Sequence, residues 1–151
     1  MNLVLPGRTR PMHEHFLSDS DLSQIRLLII EDDPFLQSYL SEILLDYPLQ
    51  VYIADSLNEA VGYYVNKQPD ILLMESYFSF AGNLSIDQEI DKKIVAGHLQ
   101  LITMTEQTNR NHFANFPTET SSYLSKPLVP GEVTGVVMRL AENIILKKIL
   151  G

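Results

Sequence analysis

From Gln24 onward the chain alternates short, dense apolar runs with longer stretches in which apolar residues recur every three or four positions. The first run, Ile25-Arg26-Leu27-Leu28-Ile29-Ile30, is almost continuously apolar, as a parallel strand covered on both faces must be. It breaks at Glu31-Asp32-Asp33-Pro34, where Asp33 before Pro34 predicts a helix N-cap with proline in the first helical position. Phe35, Leu36, Tyr39, Leu40, Ile43 and Leu44 then follow at helical spacing. The unit recurs. Leu49 to Ala54 reads as a second strand, Ser56 as an N-cap, and Leu57 to Lys67 as a second helix weakened but not broken by Gly62. Pro69-Asp70 opens a third strand, Ile71-Leu72-Leu73-Met74, that closes on Glu75. A third helix is predicted from about Ser85 to Ala96, and a fourth strand from Leu99 to Met104 that ends in Thr105. Asn109 to Phe116 is a weak fourth helix stopped by Pro117, and Ser122 to Ser125 is a short fifth strand running into Lys126-Pro127. Pro130 opens a long fifth helix to about Ile149, with Val133, Val136, Val137, Leu140, Ile144 and Ile145 as one apolar stripe.

Five strands alternating with five helices call for right-handed crossovers and predict an α/β fold with a doubly wound, five-stranded parallel sheet. Ligands of such sheets sit beyond the carboxyl ends of the strands, where the strand order reverses. The folded unit is expected over residues 24–151, with Met1 to Ser23 as an N-terminal arm or linker that mixes Pro6, Gly7 and Pro11 with Ser and Asp and shows no period. His13, Glu14 and His15 alternate on that arm without a further ligand nearby, so they read as a solvated tail and not as a metal site.

Composition narrows the function. With 151 residues, 45% hydrophobic and 20% charged, the chain suits one folded domain and excludes a second catalytic one. Eleven basic against nineteen acidic residues leave a net charge of −8, which disfavours direct binding to nucleic acid or to an anionic membrane. The absence of cysteine removes disulfides, thiol nucleophiles and thiolate metal sites, a pattern expected of a cytoplasmic protein. No apolar run approaches the roughly 18 residues of a membrane span.

The residues at the predicted strand ends carry the chemistry: Glu31, Asp32 and Asp33 after the first strand, Glu75 after the third, Thr105 after the fourth and Lys126 after the fifth. Carboxylates converging on one rim repel each other unless a cation stands among them, and oxygen ligands suit Mg²⁺. A divalent ion together with Lys126 would balance that rim.

Over about Gln24 to Leu150 the sequence resembles the receiver domain of two-component response regulators, a flavodoxin-like (βα)5 fold. The matching segments are Leu28-Ile29-Ile30-Glu31-Asp32-Asp33-Pro34, Pro69-Asp70-Ile71-Leu72-Leu73-Met74-Glu75, Ile102-Thr103-Met104-Thr105 and Tyr123-Leu124-Ser125-Lys126-Pro127. The spacing also agrees, with 43 positions from Asp32 to Glu75 and 51 from Glu75 to Lys126. The resemblance implies that Glu31 and Asp32, with Glu75, hold Mg²⁺ and that Glu75 stands at the phosphoacceptor position. It implies further that Thr105 is the switch hydroxyl, Lys126 the phosphate-sensing cation and Tyr123 the switch aromatic. A histidine kinase or another signalling protein is the implied partner. Activation would remodel the face made by the fourth predicted helix, the fifth strand and the fifth helix, which is also the face expected to support a homodimer.

The sequence departs from the family at the acceptor, where Glu75 replaces the aspartate, and no shift of register supplies one. In-line phosphoryl transfer needs the attacking oxygen placed to a fraction of an ångström, and about 1 Å of misplacement costs on the order of a hundredfold in rate. The segment Ser76-Tyr77-Phe78-Ser79-Phe80-Ala81-Gly82 and Glu106 also differ from the family pattern. Two roles remain open for Glu75, an imperfect phosphoryl mimic and a plain structural ion pair with Lys126. The expected function is a non-enzymatic, atypical receiver working through protein contacts; the alternative is a receiver that still accepts phosphate with Mg²⁺ and hydrolyses it.

Overall fold

A computed structural model describes residues 17–75, 84–105 and 121–150. They form helix α1 (Asp19–Leu22), strand β1 (Arg26–Ile30), helix α2 (Pro34–Leu44), strand β2 (Gln50–Ala54), helix α3 (Leu57–Lys67), strand β3 (Ile71–Glu75), helix α4 (Leu84–Ala96), strand β4 (Gln100–Thr105), strand β5 (Ser121–Ser125) and helix α5 (Pro130–Leu150). All five strands are parallel, in the order β2-β1-β3-β4-β5. This is the doubly wound, flavodoxin-like arrangement expected from the apolar pattern.

Side-chain alternation splits the sheet into two covered faces. Leu27, Ile29, Ile71, Leu73, Ile102 and Met104 point to one side, where Leu22 of α1, Leu40 and Leu44 of α2, and Val133, Val137 and Leu140 of α5 enclose them. Leu28, Ile30, Leu72 and Leu101 point to the other, under Ala60 and Tyr64 of α3 and Ile86, Ile90 and Ile94 of α4. The near-continuous apolar strands are thus explained, since every position faces a helix layer. At about 1.5–3 kcal/mol for each large side chain buried, these two layers supply the main drive for folding.

The element ends follow local chemistry. Asp33 caps α2 through its carboxylate, which accepts from the Phe35 N–H at 2.9 Å, and Pro34 occupies the first helical position. Ser56 caps α3 by accepting from the Glu59 N–H, while Glu59 reaches back to the Asp55 N–H at 2.9 Å. At the other end of α3 the chain turns through Gln68, which takes a left-handed φ of 50°. Such a residue is usually glycine or asparagine, so the stop signal in the sequence is Pro69, directly after it.

Two features go beyond the sequence reading. Ahead of residue 24, Leu17 before α1 and Leu22 at its end are buried in the first core layer, and a reciprocal capping box between Ser18 and Asp21 closes this single helical turn. One turn is too short to display a period, which is why that segment reads as an arm. Phe35 belongs to the apolar spacing of α2 but is 77% exposed. It lies in the first turn, directly after the acidic loop, ahead of the stretch of α2 that Leu40 and Leu44 bury. The predicted fourth helix (Asn109 to Phe116), the Tyr77-Phe78-Phe80 cluster, Glu106 and the His13-Glu14-His15 segment lie outside the described residues.

Candidate functional site

The chain leaves β1 outward to β2 and returns past it to β3, so the strand order reverses between β1 and β3. Helix connections diverge there and open a crevice at the carboxyl ends of those strands. A cleft of about 150 Å³ occupies this place, lined by Ile30, Glu31, Asp32, Asp55, Ser56, Leu57 and Glu75. Glu31, directly after β1, and Glu75, the last residue of β3, are 5% and 7% exposed.

Glu31 is held from several sides. Its N–H donates to the Ala54 carbonyl at 3.0 Å, continuing the β1–β2 ladder by one residue, and its carbonyl accepts from the Gln37 side-chain amide at 2.5 Å. Its Oε1 accepts from the Asp33 N–H at 3.2 Å, whereas its buried Oε2 has no donor. Burial, above all, pushes the Glu31 carboxyl up to about 7; its hydrogen bond with Glu75 and the charge of that acid add to the rise, against the Asp33 N–H and Lys126. A carboxyl that holds its proton near neutrality supplies the missing hydrogen for Oε2 and can share it with Glu75.

The Glu75 Oε1 accepts from the Lys126 ammonium, forming an ion pair in which the carboxylate is the more deeply buried partner. The Lys126 N–H donates to the Thr105 carbonyl at 3.0 Å, tying the end of β5 to the end of β4. Thr105 closes β4, stands opposite Ser125 in register and is 1% exposed. The sheet therefore brings Glu31, Asp32 and Glu75 to one cleft, with Lys126 bonded to it and Thr105 beside that lysine on the same rim. Tyr123 lies further down β5, opposite Thr103, and is 41% exposed.

Sequence reading missed Asp55, Ser56 and Leu57, which line the cleft from the loop after β2. The signal was available, because Asp55 follows the carboxyl end of β2 just as Glu31 follows that of β1. Asp33, in contrast, spends its carboxylate on the α2 cap and does not line the cleft.

These residues do not fit a resident Mg²⁺ in the arrangement observed. Oxygen-rich octahedral coordination needs ionised, available carboxylates. Glu75 is engaged by Lys126 through Oε1 and burial raises the Glu31 carboxyl to about 7, which leaves Asp32 and Asp55, in the loops after β1 and β2, as the exposed acids of the cleft. Among the described residues no three His, Cys, Asp or Glu side chains gather as a metal cage.

No family model matches the sequence. A probable transcriptional regulator of Pyropia yezoensis, ycf29, is 22% identical over 124 residues. That alignment takes in 82% of this chain and 56% of the relative, so the chain spans little more than half the length of the curated relative it matches. Among solved structures, a two-component transcriptional regulator AraC from Clostridium phytofermentans superposes with a TM-score of 0.65 at 15% identity, over 84% of this chain and 99% of that one. A response regulator receiver domain protein from Clostridium thermocellum gives 0.60 at 18% identity, over 84% and 99%. A CheY-like receiver domain protein from Methanospirillum hungatei gives 0.59 at 17%, over 79% and 94%. Strand order, helix placement and these superpositions agree: the chain has the flavodoxin-like fold of response-regulator receiver domains, with a glutamate ending its third strand.

Proposed function

We propose that the chain is an atypical receiver module of a two-component phosphorelay, not an enzyme, whose output is a protein–protein contact. One observation carries this reading, the ion pair between Lys126 and Glu75 at the crevice. An acceptor carboxylate must present a free oxygen in line with the donor phosphorus. Here one oxygen of Glu75, Oε1, is committed to the ammonium, and the extra methylene of glutamate displaces the carboxylate by about a bond length relative to an aspartate, enough to cost on the order of a hundredfold in rate. The anion that Lys126 would sense after phosphorylation is in place permanently, as a weaker stand-in of charge −1 against about −2 for a phosphoryl group. Thr105 and Tyr123 are the residues through which this bias would reach β5 and α5. The partner is a histidine kinase, another signalling protein or a second copy docking on the face of β5 and α5, and the setting is the cytoplasm. If the protein regulates transcription, as the name of its relative states of that protein, the DNA contact belongs to another segment or a partner, because this unit's charge of −8 opposes a polyanion.

The test is incubation with a small acyl-phosphate donor and Mg²⁺, followed by intact-mass measurement. No phosphoryl adduct is expected. A stoichiometric adduct that vanishes in Glu75→Gln overturns the proposal in favour of a receiver that still accepts phosphate.

A further inference from the structure

Mg²⁺ binding requires net negative charge that is free to turn towards the ion, and the cost of stripping water from so compact a dication is recovered only from such ligands. The crevice has acids in number, yet each of the two buried ones already has its Oε1 engaged. The Lys126 ammonium sits on the Glu75 oxygen, and the Lys126 backbone is anchored to the Thr105 carbonyl at 3.0 Å, so the cation arrives with the sheet itself and is not borrowed from solvent. Glu31 faces inward, with its Oε1 on the Asp33 N–H and its backbone fixed by Ala54 and Gln37. Asp32 is exposed and Asp55 stands across the cleft at the start of α3, whose first N–H groups disfavour a cation beside them.

We infer that this pocket carries its cation internally: the Lys126 ammonium, paired with Glu75, fills the electrostatic role that the resemblance assigns to Mg²⁺, and the pocket takes no divalent metal while that pair is closed. Displacing the ammonium would break its pair with the buried Glu75 carboxylate, so entry of a metal ion has to overcome the pair as well as the ion's own hydration. The inference deepens the proposed function, and its test omits any phosphoryl donor so that the two can fail separately.

The experiment is a Mn²⁺ titration of the ¹⁵N-labelled full chain, reading paramagnetic broadening of the amide signals of residues 31–33, 55 and 75. In the native protein no saturable broadening is expected up to about 10 mM, above the roughly 1 mM of weak oxygen-ligand sites. Lys126→Met keeps an unbranched side chain, one heavy atom shorter, and removes the ammonium; it is expected to show saturable broadening at Asp32 and Glu75, at least tenfold tighter than any residual native effect. The amide spectrum of the variant also reports whether it is folded, and Lys126→Gln serves if Lys126→Met is not. Saturable broadening at these residues in the native chain overturns the inference. So does a folded lysine variant that stays silent, since something other than the ammonium would then keep the metal out. Native Mn²⁺ binding without any phosphoryl adduct would sink this inference and leave the proposed function standing.

Discussion

Glu31 shows how one buried acid links the crevice to the stability of the whole fold. Its carboxyl titrates near 4.5 when exposed and near 7 in the folded chain, chiefly because burial disfavours the charged form. The folded state therefore holds more protons than the unfolded state between those values, and the sign follows from linkage. The contribution of Glu31 is full below pH 4.5 and is lost as pH rises through 7. Thermal unfolding followed from pH 5 to pH 8 is expected to show a falling midpoint, with a loss on the order of 2 kcal/mol attributable to this group. Glu31→Gln keeps the shape, replaces the shared proton with an amide donor towards Glu75 and removes the titration. It is expected to flatten the profile and to exceed the native protein in stability at pH 8; a variant with an unchanged slope would place the pH dependence elsewhere.

At the scale of elements, the helices are capped well but not optimised along their length. Gly62 in α3 and Gly135 in α5 sit in helical interiors where an added Cβ would meet nothing within 4 Å. Neither has a positive φ, so alanine brings helix propensity without strain. Gly62→Ala and Gly135→Ala should each raise stability by about 0.5–1 kcal/mol, measured by urea denaturation at constant m-value. They lie on helices covering opposite faces of the sheet, so the two gains should add. The crevice is likewise a product of element ends: the Asp33 cap, the Ser56 cap and the residues closing β1, β3 and β4 all meet at one rim. That is why a few loop residues carry all the chemistry while the helices carry the packing.

In the whole molecule the sheet is the shared wall of two apolar layers, and neither layer is complete without it. Leu72 and Leu73 are adjacent in β3 and both fully buried, yet they belong to different layers. Leu72→Ala and Leu73→Ala are each expected to cost about 2–5 kcal/mol, and because the central strands couple the layers, both should shift one cooperative transition and not split it. Calorimetry in which either variant melts in two steps would show that the layers fold independently. Among the described residues no helix is long and apolar enough to cross a membrane.

Much of this protein was legible in its sequence. Apolar runs of four to six residues between amphipathic stretches determined the strand and helix pattern, because a strand buried on both faces has no other way to be written. The rim residues Glu31, Asp32, Glu75, Thr105 and Lys126 were legible for a related reason: in a parallel sheet the carboxyl ends of the strands all point the same way, so strand-terminal polar residues must meet. The turn at Ser18–Leu22 and the exposure of Phe35 were not legible, since one helical turn has no period and spacing does not say which end of a helix overhangs the core. Only the tertiary structure decided the strand order, the cleft wall supplied by Asp55 to Leu57, and the fate of the acids. That Lys126 closes on Glu75 and that the Glu31 carboxyl is raised depend on burial and on distances of a few ångströms, across 51 positions of chain in one case and 44 in the other, where a linear order of residues carries no metric.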